Sequence, residues 1–574
     1  AKIKKISFIG DKKFKDKKLK SVIVSEEYKF WKILSGKKYL NENMIKFDER
    51  LLKNFYLNKG YYNVKINSSF AKLLSNNDFE LVFNIDANKK FFFNNLDLKI
   101  SQDYDLDNFK KIFNLFDDLK GEAYSINLID NVVELIDEIV ISEQFESVKA
   151  TVTEQIVDNK IDMTFEVSET EKFFLERINI FGNNVTEEKV IRNQLLLDEG
   201  DPYNEILKTK SINNIKSLNF FKKVEPEIIF NENNNTKTIN ISLEEKPTGE
   251  IYATAGVGTS GGSFGFGVRE NNFLGNGINL DTNFEVASDS FKGKFAVTNP
   301  NFNNTDKSFY VSAEAIENDN YQTYGYKTTK TGFSFGTNFE YLNDLYLGLS
   351  NSNFYEVIET NSTASERQKA QEGNYWDSFL KLDMNYDKRN QKFQTSSGYR
   401  TFYSLDLPVI SDTNTIKNYY NQSHYFDLYE KNISNISFYF ETAHSLNNKD
   451  IKLSERIKIP SRRLRGFESG RIGPKDGEDY IGGNIAYSIN FSSTIPQAFE
   501  ESQNVDFLFF IDAADIIGVD YDSSLDKNEV RSSLGLGLDW FSPIGPMNFS
   551  LALPVTKADT DKTETFRFNL GTTF

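Results

Sequence analysis

The chain has 574 residues, a formal net charge of −16 and no cysteine. The acidic balance argues against nucleic acid as the main partner, and the lack of cysteine excludes disulfides, thiolate metal sites and a cysteine nucleophile. Only 39% of the residues are hydrophobic, and no run approaches the roughly 18 apolar residues of a membrane-spanning helix, so a helical membrane protein is not expected.

Before Pro247 the sequence repeats itself at a spacing of about 80 residues. Each repeat ends on an alternating strand, and the first strand of the next repeat follows at once. The three closing strands are Phe79–Ile85, Ile161–Val167 and Thr238–Leu243. Between its strands each repeat carries two helical patterns, which predicts helices on one face of a small sheet. We therefore predict three α+β modules, at residues 1–88, 89–171 and 172–247.

In the third module the element order is strand, helix, helix, strand, strand. Thr186 is predicted to cap a helix that begins at Glu187, and a second helix is predicted from about Asn204 to Leu218. This order, with Phe-Gly-Asn at 181–183 and Leu-Asn-Phe-Phe at 218–221, resembles the polypeptide-transport-associated (POTRA) domain. A sheet of that kind offers an exposed edge to which an extended polypeptide could add a strand. The alternative is that the modules are passive spacers.

After Pro247 the pattern changes to glycine-rich alternating strands, which continue to the end of the chain. In the last ten residues the apolar side chains fall on one face, and Arg567 and Asn569 fall on the other. Apolar residues outside and polar residues inside, with period two, are typical of a transmembrane β-strand. Counting such runs predicts a C-terminal transmembrane antiparallel β-barrel of about sixteen strands over residues 248–574, with a long outside loop around Ile358 to Trp376.

The segment from Ser461 to Pro474 places four arginines and three glycines in one loop among these strands. A charge that faces lipid costs roughly 2–4 kcal/mol at the bilayer midplane. An arginine cluster among membrane strands therefore needs a water-filled interior or a carboxylate partner. We predict that this loop folds back into the barrel lumen.

The repeats, the barrel and the loop together resemble the outer-membrane assembly and secretion superfamily, and the resemblance spans essentially the whole chain. Its motifs are weak one by one but specific in this order. They are Arg465-Gly466-Phe467, Ile472–Pro474, Asp479–Asn484, Phe509–Ala513 and Trp540–Pro546.

This resemblance implies site residues. The loop motif Arg465, Gly466 and Phe467 is expected to enter the lumen, where Arg465 would pair with Asp512 on the barrel wall. Members of the family often carry a second wall acid, but Asn490 stands at that position here, so Asp512 is the one partner expected. The alternative is a plain plug with no part in moving a substrate.

The resemblance also implies a function, that of the core subunit that folds and inserts barrel proteins into the outer membrane without ATP. Its partners would be unfolded outer-membrane barrel proteins, accessory assembly lipoproteins, periplasmic chaperones and the lipid bilayer, with the modules in the periplasm. No cofactor and no enzymatic activity are expected. The two histidines, His424 and His444, lie in strand-like segments without metal-ligand spacing or a nucleophile motif.

Such a mechanism needs a seam, which is expected between the first barrel strand, about Ile251 to Gly258, and the last, Thr565 to Phe574. Gly256, Gly258 and Gly571 fall in these strands, and glycine weakens strand packing and can kink an edge. Phe574 ends the chain on an aromatic residue, at the position of an interfacial girdle.

Three alternatives stay open at this level. Barrel-assembly members of the family usually carry five POTRA domains, so three modules fit either a chain whose N-terminus has been cut away or a three-module translocation and assembly barrel. A two-partner secretion transporter would usually carry two POTRA domains and an N-terminal plug helix. A passive porin would have no use for three periplasmic modules.

Overall fold

The structure is a computed structural model. It describes residues 2–28, 38–75, 78–101, 104–143, 148–169, 171–231, 234–305, 307–392, 395–428, 432–495, 505–542 and 545–571. The chain divides into two compact units, Ala1–Pro247 and Thr248–Phe574. The first unit contains the repeats and the second contains the barrel.

The first unit contains three sheets of three strands each within the described residues. In each sheet the third strand lies in the centre, parallel to the first strand and antiparallel to the second. The strands are β1 (Lys2–Asp11), β2 (Lys65–Ser75), β3 (Asp78–Asp86), β4 (Phe92–Ile100), β5 (Val148–Val157), β6 (Lys160–Glu169), β7 (Phe174–Phe181), β8 (Phe221–Asn231) and β9 (Thr236–Glu245). The first and second strands of each sheet are therefore its edges.

Two α-helices lie between the first and second strand of each sheet among the described residues, as the repeat pattern predicts. They are α1 (Asp16–Lys20), α2 (Glu42–Leu57), α3 (Lys110–Leu119), α4 (Ile126–Ser142), α5 (Glu188–Arg192) and α6 (Glu205–Ser217). The apolar side of each helix pair packs on its sheet and forms a buried cluster for each repeat, and the cluster of the second repeat also includes Ile206 of the third. The module boundaries inside the first unit stay a prediction.

The predicted cap of the third module is wrong. Helix α5 begins at Glu188 with Glu187 as its N-cap, and the Glu187 side chain makes no capping hydrogen bond. Thr186 instead donates its backbone N–H to the Glu245 carboxylate at the end of β9 (2.7 Å). The same carboxylate also accepts the N–H groups of Asn184 and Val185, both at 2.9 Å. A turn closed by a distant carboxylate has no need of a local cap.

These contacts change the ionisation of Glu245. Burial opposes the charged form of its carboxyl group. The side chain of Thr186 and the three backbone N–H groups outweigh that effect and lower the pKa of Glu245 below its ordinary value of 4.5. The carboxylate is therefore held ionised at neutral pH.

The second unit is a closed barrel, and among the described residues it has sixteen strands, as predicted. Neighbours in the chain are neighbours in the barrel, and every neighbouring pair is antiparallel. The strands are β10 (Gly249–Gly258), β11 (Gly261–Phe273), β12 (Ile278–Ala287), β13 (Ser290–Asn299), β14 (Ser308–Asn320), β15 (Tyr326–Leu342), β16 (Leu345–Thr360), β17 (Gly373–Asp387), β18 (Gly398–Ser411), β19 (Thr415–Phe426), β20 (Ser434–Ser445), β23 (Ile485–Thr494), β24 (Val505–Ile517), β25 (Arg531–Ser542), β26 (Gly545–Thr556) and β27 (Phe566–Gly571).

Short elements occupy the loops at one end of the barrel. They are the helices α7 (Tyr321–Tyr324) and α8 (Glu366–Lys369) and the strands β21 (Lys475–Asp476) and β22 (Asp479–Tyr480). The outside loop expected around Ile358 to Trp376 is shorter than predicted, because β16 continues to Thr360 and β17 begins at Gly373. Main-chain pairing between these two strands overrides the polar composition of the segment.

Along each barrel strand, successive residues alternate between an apolar outer face and a closely packed inner face. In β11, Phe264 and Phe266 are exposed on the outside, whereas Gly265 and Gly267 face inward. A Cβ atom on Gly267 would lie 2.3 Å from the Tyr252 ring, so a larger residue there would have to displace that ring. The predicted period of two is therefore the period of the folded barrel.

No helix in the described residues is long and apolar enough to cross a membrane.

Candidate functional site

The long loop between β20 and β23, residues 446–484, is called the luminal loop below. It turns back against the inner faces of the barrel strands. A buried apolar cluster forms where it meets the wall, and Leu464 and Phe467 of the loop belong to this cluster together with Tyr439 and Ile516 of the wall. The luminal loop is therefore packed on the wall as well as linked to it by charge.

The structure brings Arg465 and Asp512 together. Asp512 lies on the inner face of β24, since its neighbour Ile511 is 52% exposed on the outside while Asp512 is fully buried. The Nε of Arg465 donates to Asp512 Oδ2 at 2.7 Å, and its Nη2 donates to Oδ1 at 2.8 Å. The backbone N–H of Arg465 also donates to Oδ2 at 3.1 Å. This is a two-pronged guanidinium and carboxylate pair, which is strong and fixes orientation as well as distance.

The ion pair of Arg465 with Asp512 anchors the luminal loop to the wall, and Asn490 adds to this anchor at the position where a second acid is often found. Its Nδ2 donates to Asp512 Oδ1 at 2.8 Å and to the backbone carbonyl of Arg463 at 2.7 Å. Its own carbonyl oxygen accepts the hydroxyl of Ser488 at 3.0 Å. A neutral amide therefore connects the wall and the loop, and Asp512 is the carboxylate that pairs directly with Arg465.

The rest of the loop motif fills the space around the ion pair. The guanidinium carbon of Arg465 lies 3.5 Å from the centre of the Phe510 ring, in cation–π geometry. Gly466 has φ = +91°, and a Cβ atom there would lie 3.1 Å from Ala552 Cβ. Phe467 is 1% exposed. Glycine is required at the turn, and the phenylalanine fixes the loop by burial.

A second anchor, which the sequence did not reveal, holds the start of the luminal loop to the opposite side of the wall. The buried ammonium group of Lys452 pairs with Glu356 of β16 at 2.7 Å and with Asp377 of β17. The hydroxyl of Ser454 donates to Glu356 at 3.0 Å. The signal available in the sequence was acidic residues on the inner positions of both strands.

Two further arginines link the loops at this end of the barrel. Arg456 of the luminal loop pairs with Asp520, which follows β24. Arg531 at the start of β25 pairs with Asp515 of β24 and, at 2.9 Å, with Asp561 of the loop before β27. Ion pairs therefore connect the luminal loop to β16, to β17 and to the loop after β24, and they connect β25 to β24 and to the loop before β27.

The seam joins the first and last barrel strands, β10 and β27. It consists of three residue pairs in the described chain, Gly256 with Gly571, Val257 with Leu570 and Gly258 with Asn569. By contrast, β10 pairs with β11 over ten residues. A Cβ atom on Gly258 would lie 2.8 Å from the backbone oxygen of Phe568, so the strands approach closely there. Gly256, Gly258 and Gly571 thus all lie at the seam, whereas Phe574 lies outside the described residues.

Neither histidine forms part of a site of this kind. The His424 ring stacks on Tyr399 of the neighbouring strand, with ring centroids 6.3 Å apart. No group of three or more His, Asp or Glu side chains in the described chain could hold a metal ion. The chemistry that the site offers is ion pairing and main-chain hydrogen bonding.

Comparison with protein families gives two matches. The model of the Omp85 superfamily domain matches residues 272–574, more than half of the chain. The POTRA model, described as a surface antigen variable number repeat, matches residues 1–88 and 173–246.

Individual proteins give a consistent result. Outer membrane protein assembly factor BamA of Neorickettsia risticii is 24% identical, over 100% of this chain and 78% of that protein. The BamA protein of Neisseria meningitidis serogroup B is 22% identical, again over 100% of this chain and 78% of that protein. A crystal structure of BamA from Haemophilus ducreyi lacking POTRA domains 1-3 matches with a TM-score of 0.67 at 23% identity, over 84% of this chain and 100% of that chain. The predicted fold of POTRA domains followed by a barrel is confirmed.

Proposed function

Because the chain belongs to the Omp85 superfamily, we propose that it is a core assembly factor that folds and inserts outer-membrane β-barrel proteins through a lateral seam without ATP. The barrel lies in the outer membrane and the POTRA modules lie in the periplasm. The similarity to BamA proteins over the whole chain supports the assembly role. The partners proposed are unfolded barrel proteins, accessory assembly lipoproteins and periplasmic chaperones.

The observation that carries the lateral route is the glycine content of the seam. In the described part of β27, which ends at Gly571, three residue pairs join it to β10, and two of these pairs include a glycine that contributes no side-chain packing between the strands. Little side-chain packing therefore opposes separation of the two strands there. The strand edges that become free carry N–H and C=O groups that lipid cannot satisfy.

Those free groups supply the mechanism. An incoming strand of a client barrel can pair with the open edge of β10 and replace the bonds lost on opening. Each added client strand then satisfies the edge of the one before it, and its apolar face enters the bilayer as it pairs. The free energy comes from hydrogen bonding and burial by the client, so no nucleotide is needed.

The anchored luminal loop has a supporting part in this proposal. A barrel that opens on one side must keep its remaining wall in register. Arg465 with Asp512 and Lys452 with its two carboxylates hold the loop against β24, β16 and β17. The loop is an internal strut that preserves the barrel while the seam is open.

A cysteine cross-link across the seam tests the proposal, since the chain has no cysteine of its own. Val257→Cys with Leu570→Cys pairs register partners of β10 and β27. Oxidation should stop the assembly of client barrels, and reduction should restore it. The matched control is Leu536→Cys with Leu551→Cys, two outward leucines that are partners on β25 and β26. The control cross-link should leave assembly unchanged, and full activity under complete cross-linking of the seam would refute the lateral route.

A further inference from the structure

The segment that leads into the last strand is bound to the luminal loop. Gly466–Arg471 of the loop runs antiparallel to Asp561–Arg567, and Phe467 and Thr563 form a β-bridge. We call this contact the loop clamp. Its backbone hydrogen bonds run from Glu564 N to Gly466 O, from Glu468 N to Lys562 O and from Lys562 N to Arg471 O, each at 3.0 Å.

Arg567 of β27 reaches across to the same loop. Its Nη2 donates to the carbonyl oxygen of Phe467 at 3.0 Å and to Glu564 Oε2 at 2.6 Å. Its Nε donates to the same Glu564 oxygen at 2.8 Å. Arg567 is 9% exposed. One buried guanidinium thus joins the strand, the segment before it and the loop motif.

The loop clamp lies close in the chain to the anchor on the wall. Arg465, which grips Asp512 of β24, directly precedes Gly466 of the clamp. Inside the lumen, β24, the loop and the leading end of β27 therefore form one connected body. On its other side the described part of β27 meets β10 over three residue pairs. The last strand is therefore held from inside the barrel, through Arg567 and the segment before it, as well as by its partner across the seam.

We propose that the loop clamp stays closed while the seam opens, so that β27 is the fixed side of the seam and β10 the side that moves. Arg567 is then a positioning residue that holds the edge of β27 in place. This proposal rests on the assembly function proposed above. The alternative is that Arg567 has no positioning role and that it and Glu564 only neutralise each other's charge. The experiments below distinguish the two roles.

A cross-link across the loop clamp tests whether it stays closed. Glu468 and Lys562 face each other there, joined by the hydrogen bond between Glu468 N and Lys562 O. In the full chain in its membrane, Glu468→Cys with Lys562→Cys should cross-link on oxidation and leave client assembly within about twofold of the reduced state. The pair Val257→Cys with Leu570→Cys should stop assembly under the same conditions. A cross-linked clamp that stops assembly would overturn the proposal.

The two cross-links also separate this proposal from the proposed function. If the cross-linked seam has no effect, the lateral route itself is wrong, and the fixed-side proposal falls with it. If the seam cross-link stops assembly and the clamp cross-link stops it as well, only the fixed-side proposal is wrong. The proposal survives only when the seam cross-link blocks assembly and the clamp cross-link does not.

A charge-balanced variant tests the positioning role of Arg567. Arg567→Gln with Glu564→Gln removes both charges together, so neutralisation is no longer at issue. Loss of the guanidinium's reach to Phe467 O should lower client assembly about fivefold, the effect of one hydrogen bond. The oxidised Glu468 and Lys562 cysteine pair should restore assembly in this background. Unchanged assembly in the variant, or no restoration by the cross-link, would contradict the role given to Arg567.

Discussion

The luminal loop and the seam are both places where the barrel could come apart, and they are held by different interactions. The loop is held by buried side chains, with Asp512 fully buried against Arg465 and Lys452 between two carboxylates. The seam, as far as β27 is described, is held by backbone pairing over three residue pairs. Buried ion pairs are costly to break, whereas short main-chain pairing can be exchanged for equivalent pairing with another strand. A barrel that opens on one side only needs a rigid interior, and it needs strand pairing at the seam that another strand can replace.

The largest effect is expected from breaking the loop anchor at Lys452. The variant Lys452→Met leaves Glu356 and Asp377 buried without their cation, at a cost of about 4 kcal/mol in barrel stability. Lys449→Met, an exposed lysine of the same loop, is the matched control. Thermal unfolding of the purified barrel, followed by its altered migration in gels, measures the difference. Equal unfolding temperatures for the two variants would show that the second anchor does not stabilise the barrel.

A somewhat smaller loss of barrel stability is expected from Arg465→Ala, because Asn490 still donates a hydrogen bond to Asp512 when the arginine is removed. We expect a loss of about 3 kcal/mol and reduced levels of client barrels, with the barrel itself still inserted. Arg462→Ala, an exposed arginine three residues earlier, serves as the control.

Exchanging the two charges sharpens the same comparison. Arg465→Asp combined with Asp512→Arg should recover part of the loss, because the side chains touch directly. Normal levels of client barrels with Arg465→Ala alone would show that the Arg465–Asp512 ion pair is not needed for assembly. An exchange that recovers nothing would indicate that Arg465 works through another partner.

The smallest effect is expected at Glu245, a carboxylate that is held by backbone N–H groups instead of an arginine. Because its pKa is lowered on folding, its stabilisation is present above the ordinary value of 4.5 and is lost as the pH falls through the lowered value. Glu245→Gln should cost about 1–2 kcal/mol at neutral pH. Hydrogen exchange at the amides of Asn184, Val185 and Thr186 measures this loss.

The neighbouring residue provides the control for that prediction. Glu244 is exposed and pairs with Lys222 at 2.9 Å on the surface, so Glu244→Gln should change little, as exposed ion pairs contribute little to stability. In the unsubstituted chain, protection of the three amides should fall as the solution is acidified, and in Glu245→Gln it should not. The same acid sensitivity in both chains would show that another group is responsible.

The barrel could be predicted from the sequence because its signal is local. Alternation with period two is visible within a few residues, as Phe566, Arg567 and Phe568 of β27 illustrate, and it sets which side chains face inward. The family resemblance, which the order of short motifs carries, implied that Arg465 and Asp512 are partners, and the structure places them in contact. The roles assigned to the loop motif and the seam residues stay predictions.

The missed features depend on contacts between distant parts of the chain. Alternation indicates that Glu356 and Asp377 face the lumen, but not that Lys452, 96 and 75 residues later, will lie between them. The cap assigned to Thr186 failed for the same reason, because Glu245 approaches from the end of the module and bonds that turn. Ion pairs and turns closed over such separations depend on the register of whole strands, which no local pattern contains.

The most direct test of the account is to trap a client strand on the open seam. A cysteine at Val257 of β10, combined with single cysteines along the last strand of a client barrel stalled during assembly, should give a disulfide at one register of the client. A cysteine at Leu536 of β25, equally outward but away from the seam, should give none. Cross-linking at Val257 with a defined register is the result that templating at the seam predicts. No cross-link at Val257, or equal cross-linking at Leu536, would contradict it.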